Sequence, residues 1–149
     1  MKQKILKFFL ALCLILFMTS CEGRSYAFYF SLEELQNELV SIEIVAILDE
    51  NIPIVCDTVC WIEKEEERQD ILVELSEIEF IGITTPRSYN AKYGFKLNYP
   101  DKCIIISEVR VCLTDNNLNI MSPKEDYRQL YYNEKVATLL KRYISSIEK

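Results

Sequence analysis

The sequence predicts an α+β fold, with a single antiparallel sheet and about three helices packed mainly on one face. Short runs rich in β-branched and aromatic residues, bounded by turn residues, predict the strands. Three stretches with apolar residues three and four positions apart predict the helices. In chain order these are a helix, two strands, a helix, a run of antiparallel strands and a closing helix. That order is typical of one sheet covered by helices.

The first predicted helix begins at Ser31 and runs to about residue 39. Ser31 and Glu34 fit a capping box, in which the hydroxyl and the carboxylate satisfy each other's free backbone N–H groups. Leu32 and Leu35 then lie on one face of the helix. This pattern predicts a short helix with one apolar side.

Two strands are predicted next. Residues 42–48 are almost wholly apolar, with Glu43 as the one charge, which favours a central strand covered on both sides. After a turn, residues 52–59 continue in an extended conformation. Pro53 indicates an edge strand or a strand start, because proline cannot donate a hydrogen bond to the ladder.

The second predicted helix spans residues 63–79, with Ile71, Leu72, Leu75 and Ile78 on its apolar face. Acidic residues cluster near its start: Glu63, Glu65, Glu66, Glu67 and Asp70. Such a cluster could bind a basic partner or a cation. We favour a solvated helix face, because acids are also stabilised near the positive end of the helix dipole.

The second half of the chain is predicted to be mostly sheet. Residues 80–83 form a strand before a loop, and 95–99 and 103–107 form a hairpin around a proline-containing turn. Residues 109–113 alternate again.

Two weaker strand candidates, 118–121 and 130–132, precede the last helix, which Asn133 caps. The apolar stripe of that helix consists of Val136, Leu139, Leu140, Tyr143 and Ile144.

Residues 1–20 have the features of a signal peptide. They contain three lysines and no acid, and residues 8–18 are all apolar. An apolar run of this length is too short to span a bilayer, which needs roughly 20 apolar residues. Thr19 and Ser20 immediately precede Cys21, as in the lipobox of bacterial lipoproteins, although Met18 stands where that family prefers leucine. The alternatives are an ordinary signal peptide cut nearby or an uncleaved anchor.

We therefore expect three segments: a lipoprotein signal peptide at 1–20, a tether at 21–30 and a single α+β domain at 31–149. The sulfur of Cys21 can carry a thioether-linked diacylglycerol, and each buried CH₂ adds about 0.8 kcal/mol of membrane affinity. Acyl chains on Cys21 would hold the protein on the outer face of the cytoplasmic membrane. The remaining 129 residues suffice for one core.

The chain resembles small lipoproteins of Gram-positive, often anaerobic, bacteria. The resemblance depends on Thr19-Ser20-Cys21, on the helix start at 31–35 leading into 41–45, and on the junction of Tyr131-Tyr132-Asn133 with the last helix. It implies an extracytoplasmic location and a compact α+β domain, and it implies no activity.

Charge and composition exclude several function classes. Without the three lysines of the signal peptide, 14 Lys+Arg oppose 23 Asp+Glu, a formal charge of −9. This charge repels nucleic acid and anionic lipid head groups. The chain contains no histidine, which excludes Ser-His-Asp and Cys-His catalysis and histidine-ligated zinc or haem. The sequence indicates no cofactor and no metal.

Four cysteines remain in the predicted domain: Cys56, Cys60, Cys103 and Cys112. An even number of cysteines in an exported protein suggests disulfides. If 103–112 is extended, Cys103 and Cys112 lie about 30 Å apart and cannot pair, although a turn would remove that objection. Bridges from Cys56 to Cys103 or Cys112 are the better expectation. A redox or copper site at Cys56 and Cys60 is the rival interpretation, and buried structural cysteines are favoured over it.

Two further patterns have simpler interpretations. Asp115, Asn117 and Asn119 have the spacing of a calcium loop, with Asp126 at the twelfth position, but Ile120 replaces the required glycine. An asparagine-rich turn is favoured. The tyrosines could form sugar-stacking platforms, but four lie in strand-like contexts that favour core or edge packing: Tyr93, Tyr99, Tyr131 and Tyr132.

The sequence therefore predicts a lipid-anchored, non-enzymatic binding or accessory module of unidentified ligand, with a protein or cell-wall partner. The first alternative is a surface enzyme that acts through carboxylates, which requires a pocket with two convergent carboxylates of perturbed pKa. The second is a thiol redox protein, which requires Cys56 and Cys60 at bridging distance.

Overall fold

The computed structural model describes residues 25–49, 54–83, 91–119 and 127–147. Signal-peptide residues 1–20 and Cys21 lie outside this part of the chain. The elements in chain order are β1 Ser25–Phe28, α1 Leu32–Gln36, β2 Ser41–Asp49, β3 Val55–Trp61, α2 Glu65–Ser76, β4 Phe80–Ile83, β5 Tyr93–Asn98, β6 Cys103–Ile106, β7 Arg110–Thr114, β8 Tyr127–Leu130 and α3 Glu134–Ile147.

The expected fold class, an α+β domain with a single antiparallel sheet, is wrong. In the part of the chain that the structure describes, strand outweighs helix, at 39% against 29%, and the strands form one sheet of five strands and one of two. The strands follow one another in the hydrogen-bonded order β1-β4-β8-β7-β6-β5-β2-β3, in which β7-β6-β5-β2-β3 form the five-stranded sheet and β1-β4 the two-stranded sheet. The short strand β8 joins them, pairing at two positions with β4 and at three with β7. All of these pairings are antiparallel.

Strand β1 explains much of this difference, because it lies in the stretch that we assigned to the tether. It pairs with β4, with Phe28 opposite Phe80 and Tyr26 opposite Gly82. The Tyr26 ring lies over Gly82, where a Cβ would come within 2.3 Å of Tyr26 Cζ. The rings of Phe28 and Phe80 stack at 5.4 Å. The folded domain therefore includes Ser25–Phe28, which precede residue 31, since pairing with β4 orders this segment.

The three helices form where their caps and apolar stripes predict them. The Ser31 hydroxyl accepts a hydrogen bond from the Glu34 backbone N–H at 3.1 Å, as expected for a capping residue. Helix α1 ends at Gln36, before residue 39, and Glu38 has a left-handed φ of 60°. The Asn133 side chain accepts from the Val136 N–H at 3.2 Å, which confirms its capping role in α3.

Strand boundaries differ most around the loops. Strand β3 begins at Val55, and the turn before it, including Pro53, lies outside the described residues. The strand predicted at 118–121 is wrong over its described part, where Leu118 lies in a turn with a φ of 62°. Strand β8 ends at Leu130, so the strand predicted at 130–132 is misplaced.

The two faces of the five-stranded sheet are covered differently. The main hydrophobic core includes Ile104, Ile106 and Leu72, and it lies between the sheet and the helices. A small second cluster of Ile54, Ile105 and Cys112 lies on the opposite face. The alternation along β6 puts these clusters on the two sides, since successive side chains of a strand point to opposite faces.

Candidate functional site

A row of polar side chains crosses the face of the five-stranded sheet that the helices do not cover. Ile42 and Ile44 of β2 point into the main core, so Glu43 between them points to the other face. Glu43 is opposite Lys96 on β5 and Trp61 on β3. The row is thus built by strand alternation and register.

Glu43 is the centre of this row, and it is only 2% exposed. Its Oε2 accepts a hydrogen bond from Thr58 Oγ1 at 2.5 Å. Its Oε1 accepts from Asn98 Nδ2 at 2.6 Å and from Lys96 Nζ at 3.1 Å. Three donors from two neighbouring strands therefore surround one buried carboxylate.

The surroundings of Glu43 keep it ionised. Burial by itself raises the pKa of this carboxyl, because it disfavours the charged form. The hydrogen bonds from Thr58, Asn98 and Lys96, together with the Lys96 charge, outweigh burial and lower the pKa below its usual value of 4.5. A carboxylate held in this way is suited to fixing strand register and poorly suited to accepting a proton near neutral pH.

The row continues through Asn98 toward β6. The Asn98 amide also donates to Ser41 Oγ at 3.1 Å, and its carbonyl oxygen accepts from the Cys103 thiol at 3.3 Å. Cys103 Sγ also lies 3.8 Å from Asn116 Oδ1 in the loop after β7. The hydrogen-bonded side chains therefore connect β3, β2, β5 and β6.

The structure separates the cysteine pair proposed for redox chemistry. Cys60 packs against the main core. Cys56 is opposite Ile47, which packs against the second cluster, so it faces the other side of the sheet. An irregularity in the β2–β3 register between these positions accounts for the change of face. Burial raises the pKa of both thiols, which disfavours the reactive thiolate.

The other cysteines are also placed unfavourably for disulfides. A turn between β6 and β7 brings Cys103 and Cys112 onto one face, so residues 103–112 are not extended throughout and the separation of about 30 Å does not apply. They occupy diagonal positions, where Cα atoms lie about 7 to 8 Å apart, at or beyond the limit for a bridge. Burial raises the pKa of Cys112 to about 12.

The expected bridges from Cys56 face a larger obstacle. Strands β2 and β5 lie between Cys56 on β3 and Cys103 on β6, which implies about 14 Å at the usual strand spacing. Cys112 lies one strand further away. Cys56, Cys60, Cys103 and Cys112 are free thiols, and this arrangement gives no support to the disulfides that we expected.

Two surface grooves contain carboxylates. One of about 380 Å³ lies between α2 and α3, and there Glu74 forms an ion pair with Arg142. The other, of about 330 Å³, is lined by Tyr93 of β5 and by residues of α3 that include Leu140 and Lys141. Glu108 is the one carboxyl among its described lining residues. Burial raises the pKa of Glu108. The first groove also contains Glu77 and Glu134, but Glu74 is paired with Arg142, and the second groove has a single carboxyl among its described lining residues, so it lacks the pair of convergent carboxylates expected of a carboxylate enzyme.

A third groove, of about 270 Å³, lies beside the two-stranded sheet. Its lining includes Ile81, Tyr131 and Tyr132. Tyr132 is 60% exposed and Tyr131 39%, so the expectation of core or edge packing is wrong for Tyr132. It is confirmed for Tyr99, which is buried and donates a hydrogen bond to the Leu35 carbonyl at 2.9 Å. Periodicity did not identify the exposed tyrosines, because their exposure depends on where β8 ends.

The remaining sequence patterns have structural roles. The Asp115 carboxylate accepts from the backbone N–H groups of Asn117 and Asn119 at 2.8 and 2.9 Å, which confirms the asparagine-rich turn. Asp126 lies outside the described residues. On α2, Glu65 pairs with Arg68 and Glu67 with Lys64 at the surface. Among the described residues, no group of three or more acidic or cysteine side chains is placed to hold a metal ion.

No family model, curated protein or solved structure matches the chain. Within the described ranges, no helix is long and apolar enough to cross a membrane.

Proposed function

We propose that this protein is a lipid-anchored, extracytoplasmic binding or accessory module, held by acyl chains on Cys21 at the outer face of the cytoplasmic membrane. The observation that carries the proposal is the sequence 18–21, a lipobox-like site after a basic and apolar segment of signal-peptide length. The first described strand begins at Ser25, four residues after the proposed anchor.

The described side chains support a binding role more than catalysis. Glu43 is the most buried carboxylate with a lowered pKa, and its two oxygens accept from three donors. Glu74 is engaged by Arg142. The exposed apolar side chains of β3, Val55, Val59 and Trp61, are in contrast suited to contact with another molecule. The partner is a protein or the cell wall, because the negative charge of the domain disfavours nucleic acid.

The anchor is tested by replacing Cys21 with serine, which removes the sulfur that accepts the lipid. The variant is expressed in a Gram-positive host fed with radiolabelled palmitate, and the membrane and soluble fractions are compared. We expect Cys21→Ser to lose the label and either leave the membrane or remain unprocessed.

The matched control is Cys13→Ser, a change within the predicted signal segment that leaves the lipobox intact. This variant should be labelled and fractionate like the natural chain. Equal labelling of the Cys21→Ser variant would defeat the proposal.

A further inference from the structure

We propose that the domain rests on the membrane through a tyrosine patch, defined as Tyr29, Ile81, Tyr131 and Tyr132, which contacts the lipid head-group layer. The patch lies on the outer face of the two-stranded sheet and just beyond the end of β8. This inference depends on the proposed anchor at Cys21, because the anchor determines which side of the domain meets the bilayer.

Strand pairing places these side chains together. Phe28 and Phe80 are directly opposite and point into the core, so the next pair, Ala27 and Ile81, points outward. The backbone N–H of Tyr131 donates to the Ile81 carbonyl at 2.9 Å, which puts Tyr131 beside Ile81. Tyr132 lines the same groove.

Tyr29 extends the patch on the other side of β4. It follows β1 directly, and its hydroxyl is hydrogen-bonded to Glu79, the residue before β4. That bond to a carboxylate raises the pKa of Tyr29, so the phenol stays neutral. Tyr29 is 59% exposed and Tyr132 60%, so both rings are available for contact with another surface.

The covalent path to the anchor is short. Cys21 and Ser25 are four residues apart, which limits the distance between their Cα atoms to about 14 Å. Strand β1 then covers about 13 Å between Ser25 and Tyr29. The head-group layer is itself about 5 to 8 Å thick on each side of the bilayer. A lipid on Cys21 therefore keeps the start of the two-stranded sheet within about 14 Å of the anchor, which is close enough for the patch to reach the head-group layer.

The chemistry of the patch suits that location. Tyrosine has an apolar ring and a polar hydroxyl, and tyrosines concentrate where membranes meet water. The groove beside the patch contains Glu79, Glu134 and Lys135, so it has no basic excess for anionic lipids. We therefore expect the contact to form on zwitterionic bilayers and to depend weakly on salt.

The single tryptophan of the chain provides an internal reference. Trp61 is 55% exposed and lies on β3, at the opposite end of the strand order from β1. It is comparable to the patch tyrosines in exposure, but seven strand-to-strand steps separate its strand β3 from β1. A probe at Trp61 should stay in water while a probe in the patch meets lipid.

The test uses the acylated full chain in phosphatidylcholine vesicles that contain lipids brominated high on the acyl chain, which quench nearby tryptophan. Two chains are compared, the natural one and Tyr132→Trp in a Trp61→Phe background. We expect the tryptophan at position 132 to be quenched several-fold more strongly than Trp61, and its emission to shift to the blue. Tyr29→Trp in the same background repeats the measurement if the first variant does not fold.

Equal, weak quenching at positions 132 and 61, with the protein still bound to vesicles, would overturn the patch contact and leave the anchor standing. Failure of the natural chain to bind vesicles after expression would instead overturn the proposed function and the inference with it. Protection of the position-132 tryptophan from acrylamide by soluble chitin oligosaccharides, without lipid quenching, would identify a glycan site and also overturn the membrane contact.

Discussion

Phe95 and Lys96 are consecutive residues of β5, yet they are stabilised in different ways on opposite faces of the five-stranded sheet. Phe95 is fully buried under the helices, with its ring 6.3 Å from that of Tyr143. Lys96 lies on the other face, with Nζ 3.1 Å from Glu43. The free energy of apolar burial is non-directional and scales with the apolar area that is buried. The stability of a buried carboxylate, in contrast, depends on the position of each hydrogen-bond donor. One strand thus has a residue stabilised by apolar burial on one face and a residue stabilised by a directional ion pair on the other.

The largest effect is expected on the apolar face. Phe95→Ala removes a fully buried ring and leaves a cavity, which should lower the free energy of unfolding by about 3 to 5 kcal/mol. Urea unfolding followed by circular dichroism measures the loss. Val73→Ala on the exposed side of α2 is the control and should change stability by about 0.5 kcal/mol or less. Similar losses in both variants would contradict the buried position of Phe95.

On the polar face, Lys96→Met removes the cation beside Glu43 but keeps the length and packing of the side chain. We expect a loss of about 2 kcal/mol in the same unfolding measurement, because a buried carboxylate loses its charged partner while Lys96 itself keeps some contact with water. Adding Glu43→Gln should recover part of that loss, since a neutral amide needs no cation. Additive losses in the double variant would show that the pair is not coupled.

A smaller effect is expected in the pH dependence of stability. The pKa of Glu43 is lowered in the folded protein, so its contribution is complete above the usual value of 4.5 and is lost as the pH falls through the lower folded value. Unfolding midpoints of the natural chain and Glu43→Gln should therefore converge as the pH drops below 4.5. A constant difference between them across this range would mean that Glu43 titrates normally.

The smallest effect is expected at the surface of the helix layer. Arg142 of α3 pairs with Glu74 of α2, and both side chains are well exposed to water. Exposed ion pairs contribute about 0.2 to 1 kcal/mol. A double-mutant cycle with Arg142→Ala and Glu74→Ala should give a coupling in that range, and it should shrink in 1 M salt. A coupling as large as the Phe95→Ala loss would reverse the comparison between surface and core.

Much of the helix layer could be predicted from the sequence. Ser31 and Asn133 cap helices where they were expected, and Leu72 and Leu139 are buried as their spacing predicted. Capping and apolar periodicity act within a turn or two, so neighbouring residues contain the information. The second sheet was missed because the partner of β1 lies more than fifty residues away, and nothing near Ser25 indicates it.

The candidate sites were less predictable than the helices. Glu43 stands out in the sequence as the one charge in an apolar strand, but no local pattern indicates its donors Thr58, Lys96 and Asn98, since they come from strands up to 55 residues away. The number and spacing of the cysteines suggest bridges from Cys56 to Cys103 or Cys112, whereas the strand order puts two strands between Cys56 and Cys103. The exposure of Tyr132 followed from the end of β8, which no local pattern indicated.

By itself the sequence determined the helices, the hairpin of β5 and β6 and the buried stripes, because these depend on contacts between residues close in the chain. It also supplied the lipobox-like site on which the proposed anchor depends. Only the tertiary structure decided the division into two sheets, the donors around Glu43 and the separation of the cysteines. These features depend on which strands become neighbours. Strand pairing is determined by the burial of the whole core, because no single segment contains the information for it.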